Sequence, residues 1–441
     1  RGEPYQDWLS VGQILGWRLG EVFPDRKVEV DMRAEPGVTL EKMHQKLANV
    51  DYRPDVLVLF AGHNEFQGRF SWIRNTVYYD FERARRPEAS PVELMLKHSP
   101  VCRLILETLE KQKIPVAPKK IVTRGVVDGP AYTPAERDDL VVDFRRRLNS
   151  IAGYCERIGT VPVFVCPASN DRDFDPSRSV VLPSTTQEEI ARFTERFLRA
   201  RELVETDPPR AKDLLGKLLE EQPVYAEGHY WYARLLETEG DWAGARRHYV
   251  QARELDGMPI RCPDAFREQY RAVAREHPGV VLVDSEAVLT PMTSHGILGD
   301  HQFHDAHHPT LLSYVALTQN ALDQIADRRL LDWPEGTPSP TIDPVACASH
   351  FQLDRVKWAT VLERTQSFYE RTAFMKFDPT ERNRKAEVYD EARKRVASGL
   401  PPEETGLPGV GTRPTEVPQA QAADGPQPSP AGPSAESNRS T

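Results

Sequence analysis

The spacing of apolar residues near the start of the chain changes from helical to strand-like and back. Over residues 8–22 apolar side chains recur every three or four positions, which predicts an amphipathic helix. Residues 28–32 alternate between apolar and acidic side chains, and this alternation predicts a strand. A turn at 35–37 then leads into a second predicted helix over 39–49, with Thr39 as its N-cap.

Two later segments, 55–61 and 161–166, are apolar almost throughout. Such runs are typical of strands buried on both faces of a parallel sheet, and a further strand is predicted over 280–284. Helices are predicted over 134–158, 263–276 and 309–326. Because strands and helices alternate, the sequence predicts a parallel sheet covered by helices on both sides. Ligands bind such sheets at the carboxyl ends of the strands.

A helical block at 185–258 interrupts this alternation and has an internal period of 34 residues, the length of a tetratricopeptide repeat. The equivalent positions are Ala211 and Ala245, Leu215 and Tyr249, and Leu218 and Ala252. Residues 226–256 resemble one such repeat, and Tyr230, Trp231 and Tyr232 are interpreted as its core rather than as a sugar-binding platform. One or two repeats bury too little surface to be stable alone, so we expect the block to pack on the main domain.

Composition separates two further regions from this body. Residues 67–133 show no clean period and are interpreted as an irregular insertion with one helix near 91–111. The composition of residues 328–399 indicates a polar helical extension. Residues 400–441 are dominated by Pro, Gly, Ala, Ser, Glu and Thr, which cannot offset the entropy of ordering, and are predicted to be a disordered tail.

Charge and cysteine content exclude several classes of protein. The net charge of −9 gives no overall positive field for a nucleic acid or an anionic membrane. The apolar runs are far shorter than the ~20 residues that span a bilayer, so no transmembrane segment is predicted. The five cysteines are widely spaced and predict neither a disulfide framework nor a zinc site. Because the chain starts at Arg1 rather than Met, we leave the compartment open.

Two short polar motifs lie where the predicted fold would bind a ligand. The first, Gly62-His63-Asn64-Glu65, ends the strand at 55–61, where amide groups could face a developing oxyanion. The second is Asp305-Ala306-His307-His308-Pro309, directly before the last helix. An aspartate three residues ahead of a histidine can hold the imidazole in one tautomer, so His308 is a candidate general base and Asp305 its partner.

Competing interpretations of the polar residues concern metals. Five histidines, at 295, 301, 304, 307 and 308, could be drawn as a transition-metal site, but no H-E-x-x-H pattern accompanies them, and a catalytic His308 within a polar loop is favoured. Asp171, Asp173 and Asp175 alternate as in a calcium loop, yet Pro176 follows and no glycine or distal glutamate is in register. No metal or cofactor is predicted.

Taken in order, the two motifs resemble those of the SGNH (GDSL-like) hydrolase family, which carries Gly-x-Asn after its third strand and Asp-x-x-His-Pro near the end of the domain. Here Gly62 and Asn64 match the former, and Asp305 and His308 the latter. The resemblance implies a three-layer α/β/α fold of flavodoxin-like order and a Ser-His-Asp mechanism. It also implies an oxyanion hole made of Gly37, which corresponds to the glycine of the family's second motif, and of Gly62 and Asn64 from the Gly-x-Asn motif. The Asn-Glu-Phe segment at 64–66 and the repeat-like insertion resemble those of a bacterial subgroup of this family that carries such repeats inside or beside the hydrolase domain.

The resemblance covers 1–327 without the insertions and divides the chain into consecutive parts. These are a first hydrolase part at 1–184, the insertion 185–258, a last hydrolase part at 259–327, the extension 328–399 and the tail 400–441.

One family element is missing from the sequence: the first strand followed by a Gly-x-Ser nucleophile. Ser10 is the only early serine, and it lies in the first predicted helical turn. The sequence therefore predicts an ester hydrolase, acting on a small ester or an acylated carbohydrate, whose nucleophile lies upstream of the chain. The chain by itself would then be inactive. The alternative is a noncatalytic scaffold in which the repeat-like block recruits a protein partner.

Overall fold

The structure is a computed structural model that describes residues 4–66 and 125–413. The helix predicted near 91–111, and the tail beyond 413, lie outside these residues. The protein is mixed α/β and mostly helical, at 55%. The strands are β1 (Val56–Phe60), β2 (Val161–Cys166) and β3 (Val281–Asp284). The helices of the first half are α1 (Val11–Val22), α2 (Leu40–Leu47), α3 (Pro134–Ile158), α4 (Gln187–Thr206), α5 (Pro208–Glu221), α6 (Ala226–Thr238) and α7 (Trp242–Glu254). Those of the second half are α8 (Asp264–Glu276), α9 (Ser285–Leu289), α10 (Leu311–Asp327), α11 (Pro344–His350), α12 (Arg355–Ala373) and α13 (Thr380–Ala397).

Several helices begin where local side-chain chemistry satisfies their first N–H groups. The Thr39 hydroxyl accepts from the N–H of Lys42 at the start of α2, and Ser10 accepts from Gln13 at the start of α1. At α3, Thr133 and Glu136 form the predicted capping box. The predicted caps at Thr39 and Thr133 are confirmed because a cap depends only on residues three apart in the sequence. The first helix begins later than predicted, at Val11, so that Ser10 is its N-cap rather than part of its first turn.

The sheet is parallel, with strand order β1-β2-β3. Val58 of β1 is in register with Val163 of β2, and a Cβ on Gly12 of α1 would lie 4.0 Å from Val58. The neighbouring Phe164 faces the other way, toward Tyr270 of α8. Helices therefore cover both faces of the sheet, as predicted, and the carboxyl ends of all three strands meet at one edge.

The strand predicted over 28–32 is not formed. Residues 28–32 are extended but unpaired, and Val28 and Val30 are 38% and 46% exposed. The two valines lie against Gly20 and Gly16 of α1 instead of joining the sheet. Within the described residues β1 pairs only with β2, so its other edge faces an open cavity that residues 28–32 also line.

The inserted helices form two pairs, α4 with α5 and α6 with α7, around a separate hydrophobic core. The 34-residue offset maps α5 onto α7, and the six equivalent residues named above are all buried. The second helix of each pair therefore repeats after 34 residues, while membership of the tetratricopeptide class remains a prediction.

The C-terminal helices belong to the main core rather than forming a separate polar extension. Trp358, Leu362 and Tyr369 of α12, and Tyr389 of α13, are buried in the same cluster as the sheet. Residues 400–413, which the sequence assigned to the disordered tail, are packed on the domain, because Val410 is buried and Gly409 packs against Thr310. Across the described residues, we find no helix with the length and apolar character needed to cross a membrane.

Candidate functional site

The loop before α10 holds Asp305 and His308 in one fixed arrangement. The Nδ1 atom of His308 lies 2.7 Å from Oδ2 of Asp305, while the backbone N–H groups of His307 and His308 both donate to Oδ1 at 3.1 Å. The loop is closed on itself, since the N–H of His304 donates to the carbonyl of His308 at 2.9 Å. The spacing of three residues therefore lets one carboxylate bind both the backbone and the ring.

Asp305 is also buried and held by a neighbouring loop. Asp305 is 1% exposed, and the amide of Asn170, on the loop after β2, donates to its backbone carbonyl at 3.1 Å. Burial alone would raise its pKa, but the charge of His308 and the hydrogen bond to that ring outweigh burial and lower the pKa of Asp305 to about 2. Asp305 is therefore ionised near neutral pH and accepts a hydrogen bond from the Nδ1–H group of His308, which leaves Nε2 of His308 as the basic atom.

Two further histidines pack beside this pair. The ring of His307 stacks on that of His63 at 4.2 Å between centroids and lies 4.2 Å from the ring of His308. The N–H of Cys262 donates to Nδ1 of His63 at 3.1 Å. Burial lowers the pKa of His307 to about 3 and that of His63 well below its usual value. Both rings are therefore neutral, and they join the Gly62–Glu65 motif physically to the Asp305–His308 motif.

The sequence assigns no role to His63 or His307, although their positions indicate one. Each stands next to a predicted site residue, Asn64 or His308. Nε2 of His63 and Nδ1 of His307 are buried without a hydrogen-bond partner in the described chain, which is unusual for native polar groups.

The two halves of the predicted oxyanion hole lie together. Gly37 has a φ of 72°, a left-handed conformation that glycine adopts without strain, and Val38 follows it. The Nδ2 atom of Asn64 donates to the carbonyl of Val38 at 3.1 Å. Gly37, Asn64, Asp305 and His308 all line the cavity beside β1.

Gly62, the other glycine assigned to the site, lies away from the cavity. It does not line that cavity, and a Cβ at this position would lie 2.9 Å from Sγ of Cys262. Its φ of 125° also disfavours any other residue. The structure thus explains this glycine by close packing and backbone conformation.

Glu65, the last residue of the first motif, caps α2 from a distance in sequence. Its Oε1 accepts from the N–H of Leu40 at 3.0 Å. Burial raises the pKa of this carboxyl to about 7, against the smaller lowering effect of that hydrogen bond. Glu65 therefore ties the strand end at β1 to the turn that contains Gly37.

We expect Glu65→Gln to stabilise the protein at alkaline pH, because glutamine keeps the acceptor without burying a charge. A carboxyl whose pKa is raised on folding contributes stability below its unfolded value, near 4.5, and loses it as pH rises through about 7. The gain should be about 1–3 kcal/mol at pH 8.5 and small at pH 5. Thermal melts of both proteins at the two pH values measure it. Glu41→Gln, exposed in the first turn of α2, is the control and should lack this pH dependence.

Ser10 lines the same cavity, but its hydroxyl is engaged as the N-cap of α1, where it accepts from Gln13 at 3.3 Å. This contact accounts for a serine at the position.

The remaining candidates are held apart by separate partners. Nε2 of His304 lies 2.8 Å from the Tyr5 hydroxyl, and His295 stacks on Trp242 of the insertion. Asp171 binds Arg253, Asp173 accepts from the N–H of Asp300, and Asp175 binds Lys376 and Arg382. Over 4–66 and 125–413, no group of three or more His, Cys, Asp or Glu side chains is placed to hold a metal ion.

Gly37, Asn64, Asp305 and His308 therefore border one cavity, which also runs along the open edge of β1. Comparison of the chain with protein-family models, with curated proteins and with solved structures gives no match to any of them.

Proposed function

We propose that this protein is an SGNH-type serine ester hydrolase in which His308 is the general base. The observation that carries the proposal is the 2.7 Å contact between His308 Nδ1 and a carboxylate whose other oxygen is fixed by two backbone N–H groups. Such a pair orients one imidazole nitrogen toward the cavity for proton transfer. We also propose that the α/β fold has the three-layer, flavodoxin-like form.

In the proposed mechanism, His308 Nε2 takes the hydroxyl proton of a serine as its oxygen attacks the ester carbonyl carbon. Gly37 N–H and the Asn64 amide stabilise the negative charge on the carbonyl oxygen. Collapse of the tetrahedral intermediate expels the alcohol, which receives the proton from His308. Water, deprotonated by the same ring, then attacks the acyl carbon, and the bond from that carbon to the serine oxygen breaks. The serine oxygen receives the proton from His308, and the acid is released. The substrate that we propose is a small acyl ester, such as an acylated carbohydrate.

We place the serine on a segment outside the sequence given, after a strand that would pair with the open edge of β1. Two features support this arrangement. The Val-Leu-Val-Leu-Phe sequence of β1 is typical of a strand buried between two others, yet four of its five residues are only partly buried. The cavity beside that edge continues to His308.

The alternative, a scaffold that recruits a partner through the repeat-like helices, is less well supported. The face formed by α4 and α6 already contacts the chain's own C-terminal region. Arg201 of α4 lies 3.1 Å from Asp378 and 2.8 Å from Glu227, and its guanidinium lies over the Trp231 ring. This face is therefore occupied from within the molecule.

A fluorophosphonate probe tests the proposal directly, because it labels only an activated serine. We expect no labelling of the 441-residue chain, and stoichiometric labelling of a protein extended upstream to include a Gly-x-Ser after an apolar strand. Mutation of that serine to alanine should abolish labelling. If the upstream coding sequence contains no such serine, the hydrolase proposal fails and the scaffold alternative is favoured.

A further inference from the structure

The C-terminal extension, which lies outside the part of the chain that resembles SGNH hydrolases, borders the candidate site. One face of α12 lines the cavity that contains His308. Most of the residues of α12 that line the cavity lie on one broad face of the helix: Thr360, Glu363, Arg364, Ser367, Phe368, Glu370 and Arg371. Thr372 and Ala373 extend the lining at the end of the helix. The opposite face of α12 carries Leu362 and Tyr369 into the main core. The helix is therefore held rigidly with one side turned toward the site.

Phe368 is the residue of α12 that meets the histidines. Its ring centroid lies 5.5 Å from that of His308, with the ring planes at 86°, and 5.6 Å from that of His307 at 80°. On another side it packs near Phe174, on the loop after β2, at 6.1 Å. The distances and angles to the two histidines are those of favourable edge-to-face aromatic pairs.

The contact supplies a constraint that Asp305 alone does not. The bond from Asp305 fixes one atom of the imidazole, Nδ1, and leaves the ring able to tilt about that atom. His307 limits the tilt on one side, at 4.2 Å, and Phe368 limits it on another. A base that must reach a hydroxyl within hydrogen-bond distance loses rate when its ring moves by about 1 Å.

We infer that α12 is part of the catalytic site and that Phe368 is a positioning residue, which holds the His308 imidazole in the orientation set by Asp305. The inference rests on the proposed role of His308 as the base. It assigns a function to the extension, whose sequence had indicated only a polar helical segment.

Nuclear magnetic resonance of the histidine rings tests the positioning without any need for turnover. With ¹³C,¹⁵N-histidine in the 441-residue chain, the His308 signals are identified by their loss in His308→Gln. We expect Phe368→Ala to move and broaden the His308 ring signals, because the ring then samples several tilts, while the Nδ1–H tautomer set by Asp305 is kept. Phe368→Tyr, which keeps the aromatic edge, should restore the wild-type pattern, and Phe368→Leu should not.

The control is Val356→Ala, since Val356 lies on α12, is 72% exposed and does not line the cavity. It should leave the His308 signals unchanged. Melting temperatures of all variants separate loss of positioning from loss of the fold, and Phe368→Leu keeps most of the packing if alanine proves too disruptive. Unchanged His308 signals in a folded Phe368→Ala or Phe368→Leu protein would overturn the inference.

Kinetics separate this inference from the proposed function. In the protein with its serine, Phe368→Ala should lower kcat by about 10–100-fold with little change in KM. If hydrolysis depends on His308 but kcat is unaffected by Phe368→Ala, the inference is wrong and the function stands. If the ring signals respond as expected but the protein with its serine has no esterase activity, the proposed function fails and the positioning of His308 stands.

Discussion

Replacing His308 with alanine in the protein that carries its nucleophile is expected to lower kcat for p-nitrophenyl acetate by about 10⁴-fold or more. The physical reason is that Nε2 of His308 is the atom that receives the serine proton, and a serine hydroxyl is a weak nucleophile without a base. Residual activity would come from the oxyanion donors and from substrate binding. The measurement is the steady-state release of p-nitrophenol by wild type and variant at the same pH.

His301→Ala is the matched control, because this ring lies on the same loop but does not border the cavity. It should change kcat only slightly. Retention of most activity by His308→Ala would contradict the assignment of the base.

Asp305→Asn gives a sharper version of the same test. The asparagine oxygen can still accept from the backbone N–H groups of His307 and His308, so the loop should keep its shape. The side-chain amide would then donate to Nδ1, which drives the ring proton to Nε2 and removes the base. We expect a loss in kcat comparable to that of His308→Ala, with a nearly unchanged melting temperature. Since the pKa of Asp305 is about 2, its titration should not enter the pH profile above about pH 4.

The sequence predicted best those elements that local interactions determine. The capping box of Thr133 and Glu136 marks the start of α3 because both partners lie within one helical turn. The apolar runs at β1 and β2 predict a parallel pair of strands, which is formed, although only β2 is buried along most of its length. The positions of Asn64, Asp305 and His308 at the carboxyl edge follow from the same alternation.

The sequence could not predict features that depend on distant partners. Residues 28–32 have strand-like alternation, but a strand forms only beside another strand, and here Val30 packs on Gly16 instead. The α12 segment is polar on average, yet Trp358 and Tyr369 bury its inner face against the sheet domain. Its contribution to the site, through Phe368, comes from a contact 60 residues along the chain from His308. No local pattern encodes such a contact.

The packing of helices α12 and α13 on the sheet domain is expected to depend most strongly on Asp175. This carboxylate, 6% exposed, binds two cations that are themselves buried, Lys376 and Arg382. Nη2 of Arg382 also donates to the backbone carbonyl of Asp175 at 2.7 Å. Burial would raise the pKa of Asp175, but the charges of Lys376 and Arg382 outweigh it and lower the pKa below its usual value.

Asp175→Ala should therefore destabilise the protein by about 3–5 kcal/mol, because it leaves two buried cations without their anion. A thermal melt should show the midpoint fall by about 10 °C. Hydrogen exchange should rise first in α13, which carries Arg382. Asp390→Ala is the control, since within the described residues Asp390 pairs only with Arg393 and Lys394 of its own helix turn, and it should change the midpoint very little.

The pH dependence gives a second check with a definite sign. A carboxyl whose pKa is lowered on folding contributes stability above its unfolded value, near 3.8, and loses it as pH falls toward the folded value. The difference in stability between wild type and Asp175→Ala should therefore be full at pH 7 and shrink below pH 4. Replacing all three charged groups at once, with Asp175→Leu, Lys376→Met and Arg382→Met, should recover much of the loss, because no unpaired charge stays buried. A melting temperature unchanged by Asp175→Ala at pH 7 would mean that this ion cluster does not hold the C-terminal helices, and hence α12, against the sheet domain.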